Sequence, residues 1–581
     1  MTEPAANLVR SPAGRDRAPW VLGLAGSHNG AAALYRGAEL VCAVQEERVT
    51  RKKRAVLLPG RASAAVDAVL ADQGLRPDDL ALVVAAPLTE PMRDEHRVDR
   101  HPTLGGRPHA LVSHHLAHAL SAFACSGFDE ACALVVDGLG SAVADLAPAE
   151  RAAVLAGPRP TASSDRETAS IYDVSRGLAT ALEKHVGAPS FEDGVVGGRL
   201  GPFSSLGLAY QQVGRFSFGS WDAAGKVMGL APYGRPRFAR ELFFAIDGAR
   251  LAFDDSLMGI GAEVQGRAPY PADARFHADL AASVQRALEE GLMHLVRRAR
   301  SRSRSRRLVC AGGVFLNSVA NELIVRSGLF DEVFVIPAAE DSGTAIGAAF
   351  HGVVSLLGPA VGRRLEADAL GPLPTDHAAA LALAREHGAR VQRCDGGDGW
   401  DDLAERLAAG QAVGFFHGRS ELGPRALGQR SILFDPRRAD GKDALNRRKG
   451  REPFRPFAPA VLLDEAPGWF ELAVPSESPF MLRVAAVRPE RRDLIPAVTH
   501  VDGTARVQTV RADGGPLQRV LAAFRARTGV PVLLNTSFNR AGEPIVESAC
   551  DAVRTALAMP LDALWLDGWL VDQLQAQGGA E

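Results

Sequence analysis

Two apolar runs that each end near an aspartate and a glycine-bearing loop limit what this chain can fold into. Ala131 to Val136 leads into Asp137 and Gly138-Leu-Gly140, and Val333 to Ile336 precedes Asp341 and the loop Ser342-Gly-Thr-Ala-Ile-Gly347, which opens a helix. Aspartates at or just past the carboxyl ends of strands sit where open α/β sheets bind ligands. A third stretch, Ser113-His-His-Leu-Ala-His118, puts His114 and His118 at i and i+4, on one face of a helix capped by Ser113. Two imidazoles and two carboxylates would make a mixed N/O metal site suited to Fe(II), Mn(II) or Zn(II). The spacing also fits a partly buried structural pair. His115 stands where a His-Glu-x-x-His metalloprotease keeps its glutamate, so protease chemistry is disfavoured.

At 581 residues the chain is too long for one core and divides into at least two domains. A net charge of -2 gives no general nucleic-acid-binding surface. The six cysteines are scattered without a Cys-x-x-Cys pair, as expected of reduced thiols in a cytoplasmic protein. No run reaches the ~18 apolar residues of a membrane span. Residues 1–19 mix charges and prolines and read as a disordered leader.

Order is expected from Trp20, with strands at Trp20–Gly26, Ala31–Tyr35 and Glu39–Gln45. The loop between the first two carries His28, which suits either a chemical role or simple solvation. Antiparallel strands around a small-residue loop fit an actin-like, sugar-kinase-like start. Glu47, Arg48 and Lys53 lie in a charged run that borders this strand layer. Helices are expected over Ala62–Gln73 and Phe276–Arg298, and a strand over Leu80–Ala86. Ser141 to Gly177, rich in Ala, Pro, Ser and Thr, reads as an irregular lobe. In Ala224-Gly-Lys-Val-Met-Gly-Leu-Ala-Pro-Tyr-Gly234, Lys226 offers charge beside glycines that permit close approach of a ligand, or the segment is a tight structural turn. Arg300 to Arg307 is a basic connection after the long helix. Gly312 and Gly313, followed by Asn317, form a turn against which a nucleotide could lie.

Composition shifts after Gly347, which sets a first domain over 20–365 and a second over 375–581. The second contains Gly418–Ser431, Asp435–Arg437 and Asn446–Phe457, with nine Lys or Arg residues among Gly and Pro. That pattern describes an oxyanion or polyphosphate pocket better than a solvated face. Asn535, Thr536, Ser537 and Asn539 close a buried strand and could orient a small amide or cap a turn.

Five motifs in this order, Ser-His-His-x-x-His-Ala, Gly-Lys-Val-Met-Gly-Leu-Ala-Pro-Tyr-Gly, Gly-Gly-Val-x-Leu-Asn, Gly-Arg-Ser-Glu-x-Gly-Pro-Arg-Ala-Leu-Gly and Asn-Thr-Ser-Phe-Asn, resemble the nodulation-protein and antibiotic O-carbamoyltransferase family. The resemblance implies an α/β protein with a TsaD-like, actin-like first domain and a YrdC-like second domain. It implies that carbamoyl phosphate and ATP, with Mg(II), give a carbamoyl-adenylate in the second domain, and that the first passes the carbamoyl group to a hydroxyl of a small-molecule acceptor. By the same resemblance His114, His118, Asp137 and Asp341 hold Fe(II) or another divalent metal, and Gly138, Lys226, Gly312, Gly313 and Asn317 bind the nucleotide. Arg419, Arg425, Arg430, Lys449, Arg451, Asn535 and Ser537 take carbamoyl phosphate and ATP, and His28 is the general base. Asn29 stands where relatives carry Asp. Transfer to a macromolecule such as tRNA, and a metal- and nucleotide-binding module without turnover, are the rival readings. The acceptor is expected to be chosen by Ser141–Gly177 and Phe191–Phe203, and the sequence leaves the oligomeric state open, a homodimer included.

Overall fold

The computed structural model describes residues 18–88, 94–157, 161–188, 195–196, 199–200, 204–253, 264, 266–394 and 398–574. The expected leader, save its last two residues, lies outside these, as does the stretch Phe191–Phe203 apart from the backbone pairing of 195–196 with 199–200.

The first two-thirds of the chain is built from two five-stranded sheets that repeat one topology. In the first, Ala31–Arg36 is antiparallel to both Trp20–Gly26 and Glu39–Gln45, and Leu80–Pro87 and His109–Leu111 add in parallel on the other side of Trp20–Gly26. The second has the same order around Glu130–Val136: Arg166–Ser175 and Leu178–Gly187 antiparallel on one side, Arg307–Ala311 and Glu332–Val335 parallel on the other. The two central strands are apolar and buried, as strands covered on both faces must be. Ser141–Gly177 is irregular only in its first part, of turns and the short helix Pro148–Ala152; its second part, Arg166–Ser175, is a buried sheet strand. Its Glu, Thr and Ser hid it, because here those polar side chains face a buried polar network rather than solvent.

Helices His114–Ser126 and Thr344–Leu357 pack against each other between the sheets. Their approach requires Gly347, where an added Cβ would stand 2.8 Å from the backbone nitrogen of Ser121. This contact brings the start of the histidine helix beside Asp341, which precedes the second helix. The long helix runs over Ala274–Arg302, and basic residues in its last turns and in the segment after it are paired locally: Arg298 with Glu183, Arg306 with Asp331, and Arg307 with Asp129 and Glu332.

The remainder forms a ten-stranded mixed sheet from Arg390–Arg393 at one edge to Phe470–Glu471 at the other, with Val413–Phe416, Arg430–Phe434, Val532–Ser537 and Ala458–Leu462 at its centre. It has its own core around Phe415, Leu533 and Phe538. Leu422, Leu427, Phe454 and Phe480 instead belong to the core of the first two sheets, so the halves share apolar packing. No described helix is long and apolar enough to cross a membrane.

Candidate active site

Histidine spacing, strand ends and helix packing converge on one buried cluster. The rings of His114 and His118 stand edge to face with centroids 4.7 Å apart. His114 Nε2 lies 3.4 Å from Asp137 Oδ2 and 3.5 Å from Asp341 Oδ1, and His118 Nε2 lies 3.8 Å from each of the same oxygens. One donor atom from each residue falls within 4.8 Å of the other three. Neither nitrogen of either ring has a hydrogen-bond partner, nor has Asp341 Oδ2. Buried polar atoms are normally satisfied, and these four residues form a cradle that could hold a cation.

The electrostatics agree. Burial alone would push the His114 pKa down, yet Asp341 and Asp137 raise it to about 10. Burial would raise both carboxyls, and the facing histidines hold them below the usual carboxylate range instead. Without an ion, a proton on His114 supplies positive charge to the carboxylates. Two imidazoles and two carboxylates are a donor set that Fe(II), Mn(II) or Zn(II) accepts.

Around the cradle, His28 Nδ1 lies 3.5 Å from Asp341 Oδ2 with its side chain 44% exposed, so it faces both the cluster and solvent. Asp137 is steadied by the Gly313 N–H, which donates to Oδ1 at 3.0 Å. Gly312 has φ +100°, and a Cβ there would meet the Val136 carbonyl carbon at 2.7 Å, so the turn brings backbone directly against the strand end. Gly138 borders open space, the nearest atom to an added Cβ being Gln211 Oε1 at 3.6 Å. Asn317 caps helix Ser318–Arg326 through Ala320 N–H and exchanges two bonds with Gln285. Ser113 occupies the N-cap position without capping; its hydroxyl donates to Glu150 at 2.8 Å.

In the second half a cluster of guanidinium groups gathers: Arg425, Arg451, Arg455 and Arg506. Each sits deep among protein atoms yet keeps part of its surface open, as side chains in a concave pocket do. Burial lowers the pKa values of all four, to about 10 for Arg425 and about 9 for Arg451, and repulsion from neighbouring guanidinium groups adds to this at Arg425, Arg451 and Arg506. The Nε atoms of Arg425, Arg451 and Arg506 have no partner, and among the described residues no carboxylate lies within ion-pair distance of these three. Arg451 reaches the Ser537 hydroxyl at 3.2 Å. Asn535 donates to Gln508 Oε1 at 2.7 Å and to the Ala426 carbonyl at 3.3 Å, beside Arg425. Glu340, whose burial raises its pKa to about 7, acts on Arg425 from the first half. The residue before the cradle's Asp341 thus lies within electrostatic reach of Arg425.

The other residues singled out in the sequence lie elsewhere. Arg419 pairs with Asp72 at 2.9 Å and lines a separate cavity of about 770 Å³ between the halves. Arg430 is fully buried over the Phe416 ring and donates to the carbonyls of Glu547, His417, Gln429 and Gly418. Lys449 is buried and donates to the Ser537 and Asn539 carbonyls, beneath the cluster rather than in it. Lys226 pairs with Glu452 at 2.5 Å, which sets it at the edge of the cluster rather than at the Gly312 turn.

Sequence reading counted Arg455 among the nine basic residues without naming it, and it did not single out Arg506 or Glu340, nor a buried network behind the histidine helix made of Glu150, Glu167, Tyr172 and Lys184. A lysine alternating with apolar residues in Leu178–Gly187 was the available signal for that network, since a charge on an inward-facing strand position must find a partner.

Residues 100–350 match the family model described as Carbamoyltransferase N-terminus, and residues 404–573 match the one described as Carbamoyltransferase C-terminus. Together with its relatives, these matches show that the chain belongs to the carbamoyltransferase family and is an enzyme of that class. It is 37% identical to nodulation protein NolNO of Sinorhizobium fredii over 94% of this chain and 79% of that protein. Nodulation protein NolO of Bradyrhizobium diazoefficiens is 38% identical over 79% of this chain and 78% of that protein. Among solved structures, full-length HypF in a phosphate- and nucleotide-bound form aligns with 60% of this chain and 57% of its own at 13% identity and a TM-score of 0.38.

Proposed function

We propose that this carbamoyltransferase is ATP-dependent and moves the carbamoyl group of carbamoyl phosphate, through carbamoyl-adenylate, to a hydroxyl of a small-molecule natural product in the cytoplasm. Three members of the guanidinium cluster carry the reading: among the described residues Arg425, Arg451 and Arg506 have no carboxylate within ion-pair distance, which suits them to a polyanion, and they adjoin neutral amide and hydroxyl groups. Such donors match phosphate geometry and hold it strongly away from bulk water. The second half is then YrdC-like and forms the adenylate.

For the atoms to balance, carbamoyl phosphate gives its phosphoryl group to water as inorganic phosphate, the carbamate displaces pyrophosphate from ATP, and the acceptor hydroxyl displaces AMP. Arg451 with Ser537, Arg425 with the amide of Asn535, and Arg506 and Arg455 orient the two phosphates and neutralise the departing pyrophosphate. The adenylate then passes to the first half. There Gly312 and Gly313 let the nucleotide approach the backbone. His114, His118, Asp137 and Asp341 fit a divalent metal, Fe(II) among them, which when bound supplies Lewis-acid stabilisation of phosphate and carbamoyl oxygens. His28, open to solvent and beside Asp341, takes the proton of the acceptor hydroxyl as it attacks the carbamoyl carbon.

Mass spectrometry of the protein incubated with carbamoyl phosphate, ATP and a panel of hydroxylated antibiotic precursors tests the proposal. Gain of one carbamoyl group by an acceptor, only when ATP is present, is the expected result. Transfer that proceeds without ATP, or no formation of AMP and pyrophosphate with any acceptor, overturns it.

A further inference from the structure

The segments that carry the cradle residues are tied together from behind by one buried side chain, Glu167. Its Oε2 accepts the Ser141 N–H at 3.0 Å and the His115 N–H at 3.3 Å. Ser141 belongs to the loop that follows Asp137, and its hydroxyl in turn accepts the His114 N–H at 2.9 Å. One carboxylate oxygen therefore spans the loop bearing Asp137 and the first turn of the helix bearing His114 and His118. The other oxygen, Oε1, pairs with Lys184 Nζ, which also donates to Tyr172 Oη at 2.6 Å and lies 2.9 Å from Glu150 Oε1. Glu150 takes the Ser113 hydroxyl at the helix N-cap.

Every side chain in this network is at most slightly exposed, and Glu167 and Lys184 are fully buried. Gly140 completes the clasp: an added Cβ would stand 2.7 Å from the His115 ring and 2.8 Å from Glu167 Oε2, so the loop closes only with glycine there. His115, which neither the cradle nor the proposed chemistry uses, packs into this joint with Nδ1 2.8 Å from Ser170 Oγ. Two buried carboxyl groups, Glu150 and Glu167, thus share the one buried amine of Lys184.

We infer that Glu167 is a positioning residue that fixes the spacing between Asp137 and the His114–His118 pair, and that it thereby sets the affinity of the cradle for a divalent cation. The inference rests on the cradle's holding a metal. Groups that orient metal ligands from behind typically change affinity about 10- to 100-fold when removed. The Glu167 carboxylate does so through backbone N–H groups rather than through an imidazole, and it acts on both ligand-bearing segments at once.

Co(II) titration of metal-free protein, followed by visible absorption and by competition with a chelator, tests this without turnover. Wild type is expected to bind one Co(II) per chain, and Glu167→Gln to bind it about 10- to 100-fold more weakly with an altered spectrum. Because Glu167→Gln leaves Lys184 without its full partner, the paired replacement Glu167→Leu with Lys184→Met removes ammonium and carboxylate together, leaving Glu150 to the Ser113 and Tyr172 hydroxyls, and it is expected to weaken binding as well. Tyr172→Phe, which removes a hydroxyl bonded to Lys184 and Glu150 but to neither ligand-bearing segment, is expected to lower thermal stability while leaving Co(II) affinity within twofold. Unchanged affinity and spectrum in a folded Glu167→Gln or double variant would overturn the inference while leaving the cradle intact. Absence of Co(II) binding in the wild type would overturn the cradle and this inference with it.

Discussion

His28 differs from the other histidines of the site in being open to solvent: 44% of its side chain is exposed, whereas His114 and His118 are sealed. A proton acceptor must release its proton, and only an accessible imidazole can. His28→Ala should reduce carbamoyl transfer about 10²- to 10⁴-fold while leaving ATP–pyrophosphate exchange at its wild-type rate; loss of both together would show that the halves do not divide the chemistry as proposed. Arg506 offers a contrasting test. It carries a charge that burial and three neighbouring guanidinium groups disfavour, so Arg506→Leu should raise the melting temperature of the ligand-free protein. The same change should weaken carbamoyl phosphate binding about 10- to 100-fold, given ~1.5–3 kcal/mol per charge-assisted bond, as calorimetry would read. The sequence exposed Arg425 and Arg451 because they lie in glycine- and proline-rich stretches. Arg506 and Glu340 carried no such signal, since one sits within a strand, Thr504–Val510, and the other beside an aspartate already assigned.

At the scale of elements, the site depends on how strands end. Residues Ala131–Val136 and Val333–Ile336 announced their strands by unbroken apolarity, and the helices His114–Ser126 and Thr344–Leu357 by periodicity and small residues. The order of the strands was less accessible, because Arg166–Ser175 is buried against polar partners and looks like a lobe in one dimension. The Ser113 cap failed for a related reason: a hydroxyl that would serve its own helix is drawn to Glu150. The turn Gly312–Gly313 is where an element-scale prediction is sharpest. Gly312→Ala would force a side chain onto φ +100° and against Val136. The cost should exceed the ~1 kcal/mol of an unhindered left-handed position and reach a few kcal/mol, because backbone rather than a mobile side chain must give way. Urea unfolding should show this lower midpoint, whereas Gly313→Ala, whose Cβ would meet only Asp137 Oδ1 at 3.2 Å, should cost less. Equal midpoints would mean that the strand end tolerates displacement.

For the whole molecule the decisive feature is the seam between the halves, which no motif in either half foretold. Apolar residues of the second half complete the core of the first, and the connecting segment is buried with them: the Leu370 carbonyl accepts Ala43 N–H at 2.8 Å, and Asp368 Oδ2 accepts Gly423 N–H at 2.8 Å. Asp368 is 2% exposed, and burial, with Glu421 and Glu340 nearby, pushes its pKa up to about 8. Seam and titration are thereby coupled. In the unfolded chain this carboxyl loses its proton near pH 4; in the folded chain it keeps it to about pH 8. Between those values the folded state binds more protons than the unfolded state, so stability falls as pH rises, by up to about 1.4 kcal/mol per pH unit for this one group. The contribution is intact below pH 4 and gone above pH 8. Asp368→Asn keeps an oxygen for Gly423 and removes the titration. Wild type and variant should therefore diverge steadily from pH 5 to pH 8, with the variant relatively more stable at the alkaline end, as urea midpoints measured at unit pH intervals would record. Parallel curves would mean that the carboxyl is ionised in the folded protein and that the seam tolerates a buried charge. A divergence would show instead that the union of the halves depends on one retained proton, and would make mildly alkaline solution the condition under which they first come apart.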